Sequence, residues 1–328
     1  MNTNLLLVSP YSMKHYGGVQ NQLILFKKYL SSKNFNVKIL SPDSPDFNVG
    51  EAINLPFNGS IAPVKLSAAK DSIKKAYDWA DIVHVHEPFI PYFFWGIKIN
   101  NRTIVTHHAD LSKPFAFFQK IFLRNEKYAH AVTAVSRVAK KGIGNSISTT
   151  IVPNTIELNN ETDNLTTSSI NLLFIGRDEK RKNFSLFKRF AKENSNKTYN
   201  FVAITNNTKS VQNITVHTNP DENTKSKILN NSTIYIAPNT HGESFGITLL
   251  EAINSDCVVV CSDIDAFKEL LGDSGVYFTN NSLDSLTKIV DSLLKENTME
   301  VLSKQKKYIE KYNIDKVMSS WISLYSQI

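Results

Sequence analysis

At 328 residues the chain exceeds one typical domain, so two domains of roughly 150 residues each are expected. Its 41% hydrophobic and 20% charged residues suit a globular protein, and no stretch approaches the roughly 18 to 20 apolar residues of a membrane span. Lys and Arg outnumber Asp and Glu by 37 to 30; the formal +7 suits an anionic partner, such as nucleotide phosphates, nucleic acid or an acidic lipid surface, and serves solubility equally well.

The N-terminus, MNTNLLLVSPYS, has no basic n-region and only a short apolar run, so it predicts a first strand and not a signal peptide. Val19, Leu23, Phe26 and Leu30 then fall on one face of a helix. NVKILSP, DIVHVHEP, TIVTHHAD and AVTAVS follow as buried-strand candidates, and NLLFIGR, YNFVAIT, STIYIAPN and CVVVCSD repeat the theme in the second half. Near-continuous apolar strands alternating with helical patterns predict parallel sheets covered on both faces. Between Leu66 and Ala80, LSAAKDSIKKAYDWA sets Lys70, Lys74 and Lys75 beside Ile73, Tyr77 and Trp79. A basic amphipathic helix of this kind either lies on an anionic membrane or packs on a sheet, and Asp71 and Asp78 dilute its charge in favour of packing.

The polar, aperiodic ELNNETDNLTTSSI, from Glu157 to Ile170, is the linker candidate. The reading is an α/β protein with an N-terminal domain over residues 1–160 and a C-terminal domain over 161–311. An amphipathic helix over about 312–328 can pack back on the first domain. Ligands bind such sheets at the carboxyl ends of their strands, which makes a cleft between two doubly wound domains the default site. Cys257 and Cys261 share one apolar run and form no disulfide framework, so a reducing, cytoplasmic location is expected.

The most informative stretch is APNTHGESFGITLLEAINSDCVVV, Ala237 to Val260. Ser244 is placed to cap a helix that turns Leu249, Leu250 and Ile253 inward. The free N–H groups and partial positive charge of a first helical turn suit a phosphate, and Gly246 lets a ligand approach the backbone. Glu243 just before the helix and Glu251 two turns later can each accept hydrogen bonds from vicinal hydroxyls, one set on a hexose and the other on a ribose. A capping glutamate followed by a solvated one fits the spacing equally well.

With PYSMKHYGGVQ, LPFNGS, HVHEP, PNTHGESFGITLLEA and SDIDAFKEL on the page, the chain resembles the retaining glycosyltransferases of family 4, and within them the phosphatidyl-myo-inositol mannosyltransferases. The matches run from Pro10 to the terminal LYSQI, apart from about Phe184 to Thr218. The resemblance implies a GT-B fold, with two Rossmann-like domains and a cleft between them. It assigns Glu243 to the donor's sugar hydroxyls, Glu251 to its ribose, and Arg177 and Lys182 of FIGRDEKRKN to its diphosphate, with Ser244, Phe245 and Gly246 completing the donor loop. The spacing of the basic pair is one residue shorter than in that subgroup, so Arg181 can take the role instead. Cations fixed there would stabilise the charge that a departing diphosphate gains.

Gly17 and Gly18 correspond to the glycine pair that admits the donor phosphates, His108 to the histidine beside the transferred sugar, and Tyr11, Gln20, Asn58 and Ser60 to the acceptor pocket. A solvated basic loop, an ordinary Gly-Gly turn and a structural histidine are the plain alternatives. Two departures stand out: Asp256 and Val258 replace a glycine and a proline, and Thr155 replaces the glycine of a Pro-Asn-Gly. The Asp263-Ile264-Asp265 triplet reads as structural, and no metal or other cofactor is expected.

The implied function is retaining transfer of a hexose, mannose from GDP-mannose first, to a phosphatidylinositol-type lipid at the cytoplasmic membrane face, with membrane contact through Lys70, Lys74 and Lys75. A UDP-hexose with a soluble or polysaccharide acceptor is the alternative within the fold, and a non-catalytic nucleotide-binding module the alternative outside it. Nucleic acid is set aside for want of a helix-turn-helix, zinc or aromatic-basic platform, and a dehydrogenase for want of G-x-G-x-x-G after any strand.

Overall fold

The computed structural model describes every residue except 1, 15–16, 58–59, 110–123, 144–146, 160–168, 208 and 296–297; the linker candidate lies mostly outside the described residues. The chain divides into two compact units, residues 1–155 with 314–328, and residues 156–313.

Unit 1 is built on seven parallel strands: β1 (Thr3–Val8), β2 (Phe35–Ser41), β3 (Phe47–Asn48), β6 (Ile82–His86), β7 (Thr103–His107), β8 (Ala131–Ala134) and β9 (Thr149–Ile151). Their order is β3-β2-β1-β6-β7-β8-β9, and an antiparallel hairpin of β4 (Ile53–Phe57) and β5 (Ser60–Val64) stands apart. β1 is apolar throughout because it serves two cores: side chains of a strand alternate between faces. Leu5 and Leu7 join Leu23, Phe26 and Leu30 of the helix Gly18–Ser31, while Leu6 and Val8 join Ala76 of the helix Lys70–Trp79 on the other face. The last helix, Ile314–Tyr325, buries Ile314, Val317, Met318, Trp321 and Tyr325 in the first of these cores.

The strands next to β1 also bury polar groups. His84 lies between the Tyr325 hydroxyl, 2.7 Å from its Nδ1, and Thr106 Oγ1, 2.6 Å from its Nε2. Thr106 Oγ1 is 2.7 Å from Thr133 Oγ1, which donates to the Val105 carbonyl. That last bond orients the chain: Thr106 donates to Thr133, His84 Nε2–H donates to Thr106, and the Tyr325 hydroxyl donates to His84 Nδ1. Buried polar groups are retained when satisfied in this way. Gln22 performs a similar service at the end of the unit, where its amide accepts from Thr155 N–H and donates to Thr155 O, both at 2.8 Å.

Unit 2 has six parallel strands, β10 (Ile170–Ile175), β11 (Tyr199–Thr205), β12 (Thr215–Thr218), β13 (Ile234–Ala237), β14 (Val258–Ser262) and β15 (Val276–Phe278), in the order β12-β11-β10-β13-β14-β15. One face carries an aromatic cluster in which Phe174 stacks on Phe184 at 4.7 Å and Phe187 meets Phe201 edge-on. On the helix Thr298–Ile309, buried Gln305 pairs its amide with both backbone groups of Val259. The strand order reverses at β1/β6 and at β10/β13, the places where such sheets hold ligands beyond their carboxyl ends.

Candidate active site

In unit 2 the loop from Pro238 to Gly246 follows β13 and is pinned from three sides. Thr240 N–H donates to the Arg181 carbonyl at 2.8 Å, Asn280 Nδ2 donates to the Thr240 carbonyl at 2.9 Å, and Ser262 Oγ donates to the Asn239 carbonyl at 2.5 Å. The helix after it spans Ile247–Asn254, and its N-cap is Gly246, not Ser244. Gly246 takes φ +99°, and a Cβ there would stand 3.0 Å from the Phe267 ring. The glycine therefore answers a left-handed turn and close packing on Phe267, where the sequence suggested room for a ligand. Phe245 is likewise committed: its ring is buried edge-on against Tyr312, leaving only its backbone to face a ligand. The N-cap residue is a glycine, which brings no side chain of its own to the cap, and the first turn holds no acidic residue that would offset the anion-attracting helix end.

Glu243 is the centre of the loop. Its Oε1 accepts from Lys182 Nζ at 2.5 Å and Arg181 Nη1 at 2.8 Å, and Arg181 is steadied by Glu179 at 2.9 Å and the Gly242 carbonyl. The cations come from the short 3₁₀ turn Lys180–Lys182 after β10, which ends at Asn183 in a left-handed conformation. Burial opposes the charged form of Glu243, yet Lys182, Arg181 and a hydrogen bond from Asn239 outweigh it and hold the carboxyl below its ordinary value. Arg177 meets Glu179 at 3.4 Å, the same carboxylate that steadies Arg181, and stays partly exposed. The structure thus puts Lys182 and Arg181 in direct contact with Glu243, as the shortened spacing allowed, with Arg177 on the neighbouring Glu179.

Glu251 sits on the helix Ile247–Asn254, and its Oε2 accepts from Lys225 Nζ at 2.8 Å. Burial raises its pKa against the opposing pull of Lys225. Lys225, on the helix Glu222–Asn230, is a partner that spacing could not reveal, because ENTKSKILN reads as a plain amphipathic segment. Burial raises the pKa of Tyr235 on β13, with the charges of Glu243 and Glu251 adding to the rise.

In unit 1, Gly17 is the N-cap of the helix that begins at Gly18; it brings no side chain to the cap, and the first turn has no acid. A Cβ on Gly17 would meet Gln20 Oε1 at 2.5 Å. Gln20 is buried and turns its amide back to the Ser12 carbonyl at 3.2 Å, so it braces its own loop. Tyr11 pairs its backbone with Val64 of β5, which ties that loop to the hairpin. Asn58 lies outside the described residues, as does the side chain of Ser60.

His108 follows β7. Its Nε2 lies 2.9 Å from His86 Nδ1, and its backbone N–H donates to Glu87 Oε1 at 2.8 Å. Burial, then the charge of His107, lowers the pKa of His108 to about 3, so the ring is neutral. His107 instead faces Glu126 at 2.8 Å. Glu87 is buried with φ +50° and a pKa raised by burial to about 7. Sequence reasoning singled out His108 from the resemblance and did not single out His86 or Glu87; HVHEP entered as part of a strand candidate and of the resemblance.

Among the described residues no cluster of three or more His, Cys, Asp or Glu is placed to hold a metal ion. Asp263 accepts from Asn280 N–H at 2.9 Å and faces Lys268, a loop-holding role. On the helix Lys70–Trp79, Ile73, Tyr77 and Trp79 pack toward the sheet while Lys70, Lys74 and Lys75 are exposed, with Lys74 paired to Asp78. Among the described residues no helix is long and apolar enough to cross a membrane.

The sequence model described as Glycosyltransferase Family 4 matches residues 16–160, and that described as Glycosyl transferases group 1 matches 156–313. The chain belongs to glycosyltransferase family 4. This family 4 enzyme is 28% identical over 310 residues to the phosphatidyl-myo-inositol mannosyltransferase of Mycobacterium leprae, covering 82% of this chain and 81% of the relative. It is 25% identical to that of Mycolicibacterium smegmatis, with 98% and 93% covered. Among solved structures, Anabaena HepE in complex with UDP-glucose superposes with a TM-score of 0.76 at 13% identity, covering 99% of this chain and 100% of that one. Sucrose-phosphate synthase from Thermosynechococcus elongatus superposes with 0.75 at 12%, covering 99% of each chain. At these identities the superpositions show the fold: the transferase is a GT-B protein of two Rossmann-like domains.

Proposed function

We propose that this glycosyltransferase moves a hexose, mannose from GDP-mannose, to a phosphatidylinositol-type lipid at the cytoplasmic membrane face, with retention of the anomeric configuration. The observation that carries the donor reading is one carboxylate, Glu243, held by two cations, Lys182 and Arg181, in the loop before a helix whose first turn carries no acid. An arriving diphosphate competes for the same cations and frees Glu243 to accept hydrogen bonds from sugar hydroxyls. As the bond from the sugar to the diphosphate breaks, the leaving oxygen gains charge that Lys182 and Arg181 stabilise. The acceptor oxygen bonds to the sugar on the same face, and its proton passes to the departing phosphate. Glu251 takes the ribose, sharing its charge with Lys225, and His108 hydrogen-bonds the transferred sugar. The lipid acceptor rests on the names of the relatives; the exposed lysines 70, 74 and 75 suit an anionic surface.

The test is a panel of GDP- and UDP-sugars incubated with the protein and extracted membrane lipids, with products read by mass. Expected is a mannosylated phosphatidylinositol formed from GDP-mannose. Transfer only from a UDP-hexose, to a water-soluble acceptor, moves the enzyme to another branch of the family; no transfer from any donor overturns the reading.

A further inference from the structure

Buried in unit 1 is a pair of histidines in which each ring constrains the other. His86 is wholly buried, whereas His108 retains 9% of its surface. Their only mutual bond joins His86 Nδ1 to His108 Nε2 at 2.9 Å. With both rings neutral, one of these two nitrogens carries the proton. His86 Nε2 is buried and has no hydrogen-bond partner among the described residues. If His108 were the donor, His86 would have to carry its own proton on Nε2, leaving a buried N–H without an acceptor. If His86 donates from Nδ1, the orphan is a bare lone pair. Orphaned buried donors are the rarer and costlier of the two, by the full desolvation of the group.

We infer that His86 is a positioning residue: it donates from Nδ1 to His108 Nε2 and so locks His108 in the tautomer with its proton on Nδ1. His108 then offers a hydrogen-bond donor, not a base, from its one uncommitted ring nitrogen. The backbone is fixed at the same point, because Glu87 Oε1 accepts the His108 N–H at 2.8 Å. The bond on one ring nitrogen sets what the other presents, as in other histidine pairs and triads. Neighbouring His84 cannot take over the role: both its nitrogens are engaged, by Tyr325 and Thr106, and its ring only stacks on His86 with centroids 4.0 Å apart. The consequence for catalysis rests on the reading that His108 hydrogen-bonds the transferred sugar. An N–H at that place binds a hydroxyl oxygen and leaves proton removal from the acceptor to the departing phosphate.

The experiment separates the two. Long-range 1H–15N spectra of the full chain labelled with 15N-histidine, assigned with His108→Asn, report the tautomer without any turnover. Expected is a pyrrole-type Nδ1 and a pyridine-type Nε2 for His108. In His86→Phe the two shifts exchange toward the solution tautomer and kcat falls by about tenfold or more, a loss of the size that misplacing a bound group causes. His86→Asn, whose amide can donate from nearly the same place, restores both the shifts and kcat. A pyrrole-type Nε2 on His108 in the wild-type protein overturns the lock, and so does an unchanged pattern in His86→Phe. Should His86→Phe fail to fold, the wild-type spectrum and His86→Asn still decide. A confirmed lock with unaltered kcat in a folded His86→Phe leaves the tautomer assignment standing and refutes the contact between His108 and the sugar.

Discussion

Beside β1 in unit 1, the strands read Ile82-Val83-His84-Val85-His86 and Thr103-Ile104-Val105-Thr106-His107; at the same place beside β10 in unit 2, they read Ile234-Tyr235-Ile236-Ala237 and Val258-Val259-Val260-Cys261-Ser262. The strand order around the reversal point is the same and the burial complete in both, but unit 1 threads imidazoles and hydroxyls through its sheet where unit 2 is nearly all apolar. Unit 2 keeps its charged groups in the loops beyond the strands, Arg181, Lys182 and Glu243 among them. The difference teaches that the same scaffold can hold its chemistry in two ways. An apolar sheet leaves pinned loops to present charge. A polar sheet orients a side chain such as His108 from within, at the expense of needing every buried donor satisfied.

The comparison breaks most visibly at Trp321, the large ring that the last helix adds to unit 1. Trp321→Ala should remove about 3 to 5 kcal/mol from unit 1, seen as an earlier denaturant transition for probes in that unit. Loss of secondary structure in unit 2 at the same denaturant concentration would mean that the two units do not unfold separately. Next in size is Glu87. Its folded pKa, about 7, lies above the ordinary 4.5, so the folded state holds the extra proton. The associated stability is complete below about pH 4.5 and lost as the pH rises to about 7, roughly 3 kcal/mol in all. Glu87→Gln keeps an acceptor for the His108 N–H and removes the titration, so the difference between variant and wild type should change across that window; parallel stability curves would refute the buried-carboxyl account.

In unit 2 the expected losses fall on function. Glu243→Ala should lower kcat/KM by at least about 100-fold, or roughly 2.7 kcal/mol, while circular dichroism stays that of the folded protein. Gly246→Ala is the smallest change: φ +99° and the Phe267 ring 3.0 Å from the new Cβ should cost about 1 to 3 kcal/mol. A melting temperature equal to wild type would show that the turn accepts a side chain.

Much of this was legible in the sequence, and the reasons differ by element. The nine strands with near-continuous apolar runs announced themselves because both faces are largely buried. β3, the β4–β5 hairpin, β9, β12 and β15 did not, being two to five residues long or partly exposed. Glu243 and Lys182 were readable from motif resemblance, but their contact was not: the residues are 61 positions apart, and only folding shows that Lys182 and Arg181 share one carboxylate oxygen. Ser244 was misread as a cap because Ser is a strong N-cap, whereas here the chain spends two further residues turning through Gly246 before the helix starts. Lys225 and His86 carried no local signal, since each matters only through a partner on another element.

The claim on which the donor reading depends is that Lys182 and Arg181, released from Glu243, bind a nucleoside diphosphate. Calorimetric titration of GDP, GMP and UDP into the wild-type chain and into the double variant Arg181→Met/Lys182→Met tests it most directly. The account predicts that GDP binds more tightly than GMP, and that the double variant weakens GDP by at least about tenfold while leaving GMP closer to its wild-type affinity. Equal GDP binding in both proteins, or no heat with either diphosphate, would contradict it.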